Sequence, residues 1–125
     1  MDQNINARTF SFFKAPISNC TPMKDMTLED VYDHIRNSSY GQTIKLRTLE
    51  EKESARAYKS SKFDFCTFSG VFSYRDEQHF VRHSGLLCLD FDHIDDLEGH
   101  FKALSEDPRC PTALLFRSPS GDGLK

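Results

Sequence analysis

The sequence has 125 residues, of which 38% are hydrophobic and 28% are charged, a composition typical of a globular protein rather than a disordered one. Its formal net charge is −3, whereas a dedicated nucleic-acid-binding domain usually carries a strong basic excess. No segment approaches the roughly 20 apolar residues of a membrane span, and the polar start is not a signal peptide. The four cysteines are scattered without a Cys-x-x-Cys pair. We therefore expect a soluble, cytoplasmic protein with reduced cysteines and no membrane partner.

The first half of the chain predicts one strand followed by two helices. Residues 8–13 form the strand, with three phenylalanines as its apolar content. Thr27 caps the first helix, whose apolar residues recur at helical spacing until the polar segment 37–41 ends it. Residues 48–59 form the second helix, because their composition favours helix and is mostly suited to a solvent-facing surface.

A phenylalanine-rich region with β character follows over residues 63–72, interrupted by Ser69 and Gly70. The next polar stretch predicts a turn. Beyond it, Phe80 and Val81 are expected to pack inward.

The clearest element of the sequence is the segment 84–92. Its continuous apolar run, residues 86–89, is typical of a strand buried on both faces in the centre of a sheet. An acidic loop then leads to a predicted helix over 97–104. A last strand is predicted over 112–116, between two prolines and a glycine-containing turn.

Together these elements predict an α+β fold with a mixed or antiparallel sheet and helices mainly on one face. We expect a single domain over residues 1–125, in which 1–62 supply a strand plus helices and 63–125 a motif-bearing sheet region. Because residues 117–125 predict a turn leading into another strand, we expect the sequence to be the N-terminal fragment of a longer protein. A sheet interrupted there would leave an open edge, and self-association through that edge is a further hypothesis.

Two carboxylates, those of Asp90 and Asp92, stand at the end of the predicted central strand. Residues two apart on a strand point to the same face, and neighbouring carboxylates repel each other unless a cation lies between them. Mg²⁺ and Mn²⁺ suit such a site, because hard cations bind carboxylates together with substrate phosphates. The pattern therefore predicts a metal-dependent phosphoryl-transfer site, with a pair of surface acids capping the next loop as the alternative.

A second motif, Ser-Pro-Ser-Gly-Asp-Gly-Leu-Lys over residues 118–125, follows the predicted strand 112–116. Its glycines allow a tight turn with exposed amides, which could form a nest for an anion. Ser118, Ser120 and Lys125 add hydrogen-bond donors for a phosphate. The motif is neither a Walker A loop nor a dinucleotide-binding fingerprint, because the required spacing is absent. An ordinary hairpin turn is the alternative.

The histidines are weaker candidates for functional residues than the two motifs. His93 directly follows Asp92 and could position a phosphate, although a local loop hydrogen bond is the favoured interpretation. His79 and His83 lack the glutamate of a zinc-protease helix and are interpreted as solvated or structural. Further acids at the start of the next helix, where negative charge is favourable, are Asp95, Asp96 and Glu98.

Three segments carry a resemblance to a known family. They are Thr-Phe-Ser-Gly-Val-Phe over 67–72, His-Ser-Gly-Leu-Leu-Cys-Leu-Asp-Phe-Asp-His-Ile over 83–94, and Leu-Phe-Arg-Ser-Pro-Ser-Gly-Asp-Gly-Leu-Lys over 115–125. Together they resemble the VirE N-terminal-type domain, which stands at the front of larger bacterial proteins, often linked to mobile elements. Their layout is similar to that of the archaeo-eukaryotic primase–polymerase superfamily. The resemblance implies a truncated primase–polymerase-like fold.

By position, the resemblance implies that Asp90 and Asp92 are catalytic residues that bind Mg²⁺ or Mn²⁺. It implies a nucleoside triphosphate as ligand, held by the loop residues Ser118, Ser120, Gly121, Gly123 and Lys125. The full-length protein would perform metal-assisted nucleotidyl transfer in the replication of a mobile element. Its further partners would be DNA and a C-terminal helicase-like or primase-associated region of the same protein.

Two departures from the superfamily pattern favour other functions. Lys125 stands where the superfamily tends to have a histidine, and lysine lacks the fixed geometry of imidazole. The resemblance also implies a further carboxylate on a third strand, which would lie beyond Lys125, so we expect the chain by itself to be inactive. The alternative is a catalytically inactive DNA- or partner-binding domain attached to a helicase-like protein. A metal-dependent nuclease is a third hypothesis, for which no lysine or histidine base is evident on an adjacent strand.

Overall fold

A computed structural model describes residues 8–37 and 40–125. Within these residues the chain has four α-helices and two small antiparallel sheets, so the predicted α+β fold class is confirmed. The first compact unit ends at Leu87, and the second is Cys88–Lys125. In the described part of the chain, no helix is long and apolar enough to cross a membrane.

The larger sheet belongs to the first unit and has β1 (Phe10–Phe13) at its centre. Its neighbours are β2 (Lys24–Met26) and β3 (Phe65–Thr67), and both pair with β1 in the antiparallel sense. All four residues of β1 are buried, as expected for a central strand whose two faces are both covered. The strand predicted over residues 8–13 is therefore confirmed, with a later start.

The first helix, α1 (Leu28–Asn37), begins at a reciprocal cap. The hydroxyl of Thr27 accepts a hydrogen bond from the Asp30 amide at 3.3 Å, and the Asp30 carboxylate accepts one from the Thr27 amide at 2.9 Å. This is a capping box in which aspartate takes the usual place of glutamate or glutamine. The apolar residues Leu28 and Val31 are buried. Both the cap and the buried stripe agree with the sequence prediction.

Two further helices follow, α2 (Tyr40–Thr48) and α3 (Lys52–Lys62). α3 corresponds to the helix predicted over 48–59, with both ends later in the chain. α2 was not predicted, because Leu46 is its single buried residue from Gly41 onwards and no apolar repeat marks it. The predicted helix end over 37–41 is correct for α1 but wrong at Gly41, which lies in α2; residues 38 and 39 lie outside the described part.

The smaller sheet is a hairpin of β4 (Gly70–Phe72) and β5 (Phe80–His83). The predicted β region over 63–72 is thus confirmed as two short strands, one in each sheet. Phe80 and Val81 are exposed, so the prediction that they pack inward is wrong. All four residues of β5 are exposed, so neither face of this short strand is buried.

The second unit contains α4 (Leu97–Glu106), which confirms the helix predicted over 97–104. Asp96 caps it by accepting a hydrogen bond from the Gly99 amide at 3.0 Å. The remaining β structure of this unit consists of isolated bridges, in which Phe91 and Arg117 each pair with Leu124 in the antiparallel sense.

The two strands predicted for this half of the chain are wrong. Residues 86–90 and 112–116, all of them described, form no strand. Leu87 is 84% exposed and Leu89 is 49% exposed, whereas the prediction required burial on both faces. An apolar run becomes a buried central strand only where other strands flank it. Within the second unit, backbone pairing starts at Phe91, after this run has ended.

Candidate functional site

Leu124 lies at the centre of a three-segment ladder in the second unit. Its amide donates to the carbonyl of Phe91 at 2.8 Å, and its own carbonyl accepts from the Phe91 amide at 2.9 Å. On the other side, Phe116 and Lys125 exchange two backbone hydrogen bonds of 2.9 and 3.0 Å. We call this arrangement, with its bridge from Arg117 to Leu124, the Leu124 ladder. It brings the two sequence motifs together although they are far apart in the chain.

The register of the ladder decides which side chains share a face. Because Phe91 is opposite Leu124, Asp90 is opposite Lys125 and Asp92 is opposite Gly123. Side chains alternate between the two faces of a ladder, so residues adjacent to Phe91 and Leu124 point away from them. The resulting surface, which we call the aspartate face, comprises Asp90, Asp92 and Lys125, together with Phe116 and Ser118 on the third segment.

An ion pair joins the two predicted motifs across this face. The ammonium of Lys125 donates to Oδ1 of Asp90 at 2.7 Å. The Asp90 side chain is 54% exposed and that of Lys125 29% exposed, so solvent screens the pair and its contribution to stability is at most about 1 kcal/mol. Its importance is therefore positional, since it places a positive charge beside one of the two carboxylates.

Asp92 has a different environment from Asp90. Among the residues that the structure describes, no hydrogen-bond or ion-pair partner contacts its carboxylate. Across from it stands Gly123, where an added Cβ would lie 3.4 Å from Oδ1 of Asp92 and would overlap the carbonyl oxygen of Phe91. The absence of a side chain at position 123 thus allows the close approach of the two segments, while the Asp92 side chain remains exposed to solvent.

The loop between the ladder segments is a tight turn built around Ser118. Its carbonyl accepts from the Gly121 amide at 2.9 Å, and its hydroxyl accepts from the Gly123 amide at 3.2 Å. Gly121 has a φ of 94°, a left-handed conformation that favours glycine. Because both glycine amides serve the turn itself, the alternative of a hairpin turn describes this loop better than an amide nest does.

A line of polar contacts continues from the turn to His93. The Ser120 hydroxyl donates to Oδ1 of Asp122 at 3.4 Å, and Nδ1 of His93 lies 2.9 Å from Oδ2 of the same carboxylate. The hydrogen bond with His93 holds the pKa of the Asp122 carboxyl below its usual value. The local hydrogen bond expected of His93 is therefore present. Asp122 was missed from the sequence, since its position between two glycines gave no sign of a partner.

His93 also has an unusual backbone, with a φ of 55°. A non-glycine residue in this left-handed region is uncommon, although histidine adopts it more readily than most. The conformation lets the chain leave the ladder directly after Asp92, and the Ile94 amide then donates to the Asp122 carbonyl at 2.8 Å. The other two histidines of interest lie in the first unit, where His79 contacts Asp76 and His83 ends β5.

Asp90 and Asp92 are the two carboxylates that the aspartate face offers to a cation. Across residues 8–37 and 40–125, no three His, Cys, Asp or Glu side chains converge in a way that could hold a metal ion. A cation here would therefore have the carboxylates of Asp90 and Asp92 as its protein ligands, as Mg²⁺ commonly does beside phosphates. The Lys125 ammonium already stands beside Asp90 as a positive charge, and Asp92 is exposed to solvent.

The opposite face of the ladder packs toward α4. It borders an open groove of about 270 Å³. The groove is lined by Leu97, Glu98, Phe101, Lys102, Arg117 and Leu124. Leu124 is buried there, whereas Arg117 turns back to donate from Nε to the Gly121 carbonyl at 2.7 Å. The apolar side of the ladder thus supports the aspartate face without contributing to it.

Comparison with known proteins identifies a family. A family model described as "BT4734-like, N-terminal domain" matches residues 58–125, a range that includes the whole aspartate face. No curated protein and no solved structure matches the chain. A relation to VirE-type domains or to the primase–polymerase superfamily stays a prediction. Since the match spans more than half of the 125 residues, the chain belongs to the family of BT4734-like N-terminal domains.

Proposed function

We propose that the aspartate face binds Mg²⁺ or Mn²⁺ together with a nucleoside triphosphate, as part of a primase–polymerase-like module. In a longer protein this module would serve metal-assisted nucleotidyl transfer during replication of a mobile element. The observation that carries the proposal is the Leu124 ladder, whose register brings Asp90, Asp92 and Lys125 onto one face. Two carboxylates and one ammonium are the groups that a cation–polyphosphate complex needs around it.

Each residue has a role that follows from its position. Asp90 and Asp92 supply oxygen ligands, and Gly123 allows the segment that carries Lys125 to approach the one that carries both aspartates. Lys125 supplies a charged donor to phosphate oxygens, while the buried Ser118 fixes the turn that carries Gly123. A bound divalent cation would activate the attacking hydroxyl and neutralise the charge of the leaving pyrophosphate.

Calorimetric titration of the chain with Mn²⁺ and a non-hydrolysable nucleoside triphosphate analogue tests the proposal. We expect the variant Asp90→Asn/Asp92→Asn to lose at least about tenfold in affinity, because both protein ligands are removed. Asp95→Asn/Glu98→Gln is the matched control, since it also removes two negative charges, but from the acidic segment that follows the aspartate face. The control variant should bind like the unmodified chain, and equal loss in both variants would contradict the proposed location.

A second function, binding of a protein partner without catalysis, is favoured by one observation. In the apolar run 86–89, Leu87 and Leu89 are largely exposed to solvent. Neighbouring exposed apolar side chains often mark an interaction surface. Absence of both Mn²⁺ and nucleotide binding in the titration above would favour this second function over the first.

A further inference from the structure

We propose that Lys125 makes the aspartate face selective for a divalent cation that arrives with a polyphosphate, and disfavours the free ion. The inference deepens the proposed function and rests on it. It begins from the 2.7 Å ion pair between Lys125 and Asp90, in which one of the two carboxylates already has a counter-ion. Among described residues, Asp90 is the only one that forms a hydrogen bond or an ion pair with the Lys125 ammonium.

The two ends of Lys125 are held very differently. Its backbone amide and carbonyl are both hydrogen-bonded to Phe116, at 2.9 and 3.0 Å, so the residue keeps its place in the ladder. Its side chain is a flexible four-carbon stem with a single, solvent-screened contact at the end. The ammonium can therefore leave Asp90 without any change in the backbone.

The charge balance of the face then differs for two kinds of ligand. A free divalent ion that approaches Asp90 meets the Lys125 ammonium and must displace it or be repelled by it. A polyphosphate brings oxygens that can accept the released ammonium as the cation takes the carboxylate. The Lys125 ammonium thus weakens binding of the free ion and strengthens binding of the cation–polyphosphate complex. Cation and polyphosphate therefore each strengthen the binding of the other.

Titration of the 125-residue chain with Mn²⁺ alone and with the preformed Mn²⁺ complex of a non-hydrolysable nucleoside triphosphate tests this inference. The variant is Lys125→Met, which keeps an unbranched stem of similar length and removes the charge. We expect it to bind free Mn²⁺ about three- to tenfold more tightly, because a competing charge is gone. The same variant should bind the Mn²⁺–nucleotide complex more weakly by a similar factor. Opposite changes in the two affinities are the expected signature.

Two further variants serve as controls. Lys125→Arg retains the charge and should bind free Mn²⁺ as weakly as the unmodified chain. Lys102→Met removes a charge from α4 on the other face of the ladder and should alter neither affinity by more than about twofold.

The outcomes separate the two proposals. If Mn²⁺ binding depends on Asp90 but Lys125→Met leaves the free-ion affinity unchanged or weakens it, the inference about Lys125 is wrong and the proposed function survives. If neither the unmodified chain nor any variant binds Mn²⁺, whether free or in complex with the nucleotide, the proposed function fails, and the inference fails with it.

Discussion

Gly123 shows how much of the candidate site depends on a single missing side chain. A Cβ at this position would overlap the Phe91 carbonyl oxygen and would lie 3.2 Å from the Ser118 hydroxyl. The Phe91 carbonyl is also the acceptor for the Leu124 amide, so the same two segments would be pushed apart. The close approach of the two ladder segments therefore requires glycine.

Gly123→Ala should loosen the Leu124 ladder. We expect hydrogen exchange of the Phe91 and Leu124 amides to become about ten- to a hundredfold faster, as overpacking of about 1–3 kcal/mol would produce. NMR hydrogen exchange measures this directly. Gly41→Ala is the matched control, because nothing lies within 4 Å of its added Cβ and alanine favours the helix there. Unchanged exchange in Gly123→Ala would show that the ladder tolerates a side chain.

The thiol of Cys66 lies half-buried in β3. Burial, with a smaller contribution from the charge of Asp64, raises the pKa of the Cys66 thiol from an ordinary value of 9.0 to about 12. A raised thiol pKa gives stability that is present below pH 9 and is lost as the pH rises toward 12. Cys110 is exposed to solvent.

At pH 8, iodoacetamide should therefore label Cys66 at least about a hundredfold more slowly than Cys110, because the thiolate is the reacting form. Mass spectrometry of the labelled peptides gives both rates from one sample, with labelling in urea as the control for intrinsic reactivity. Comparable labelling rates of Cys66 and Cys110 in the folded chain would show that the position of Cys66 in β3 does not protect its thiol.

At the scale of elements, the sequence predicted those that carry their own signal. β1 and α1 were correct because a phenylalanine-rich strand and a capped, periodic helix depend on local residues. α2 was missed because it has little apolar periodicity. The strands over 86–90 and 112–116 were wrong because strand formation depends on partners elsewhere in the chain.

The site was predictable only in part for the same reason. Asp90, Asp92 and Lys125 were selected from their residue types and from a family resemblance. Their meeting on one face depends on the pairing of Phe91 with Leu124, a register that no local pattern determines. The turn around Ser118 and the contact between His93 and Asp122 likewise follow from the folded geometry.

The link between the two sheets of the first unit gives a prediction at this scale. Ser11 is fully buried in β1, and its hydroxyl accepts from the Phe72 amide at 2.9 Å and lies 3.3 Å from the Phe72 carbonyl. Ser11→Ala leaves these backbone groups of β4 without that partner. We expect a loss of about 1–3 kcal/mol in the free energy of unfolding, measured by urea titration.

Ser61→Ala is the control, because Ser61 is exposed on α3 and its hydroxyl bonds only within the helix. It should change the free energy of unfolding by less than about 0.5 kcal/mol. If the two substitutions have equal effects, the Ser11 hydroxyl does not hold the sheets together.

For the whole molecule, the relevant fact is that the family match and the aspartate face coincide. Residues 58–125 include every side chain of the face, whereas β1, β2 and the first helices lie before that range. The net charge of −3 makes a tight, non-specific hold on DNA unfavourable, and the proposed ligand is a small metal–polyphosphate complex.

The most direct test is Mn²⁺-induced line broadening in the amide NMR spectrum of the isotope-labelled chain. The account predicts that substoichiometric Mn²⁺ broadens the amides of residues 90–92 and 123–125 first, and that Asp90→Asn/Asp92→Asn removes the effect. Broadening that begins instead at Asp76 and Glu77, or at Asp95 and Glu98, would show that Mn²⁺ binds other acids and would contradict the account.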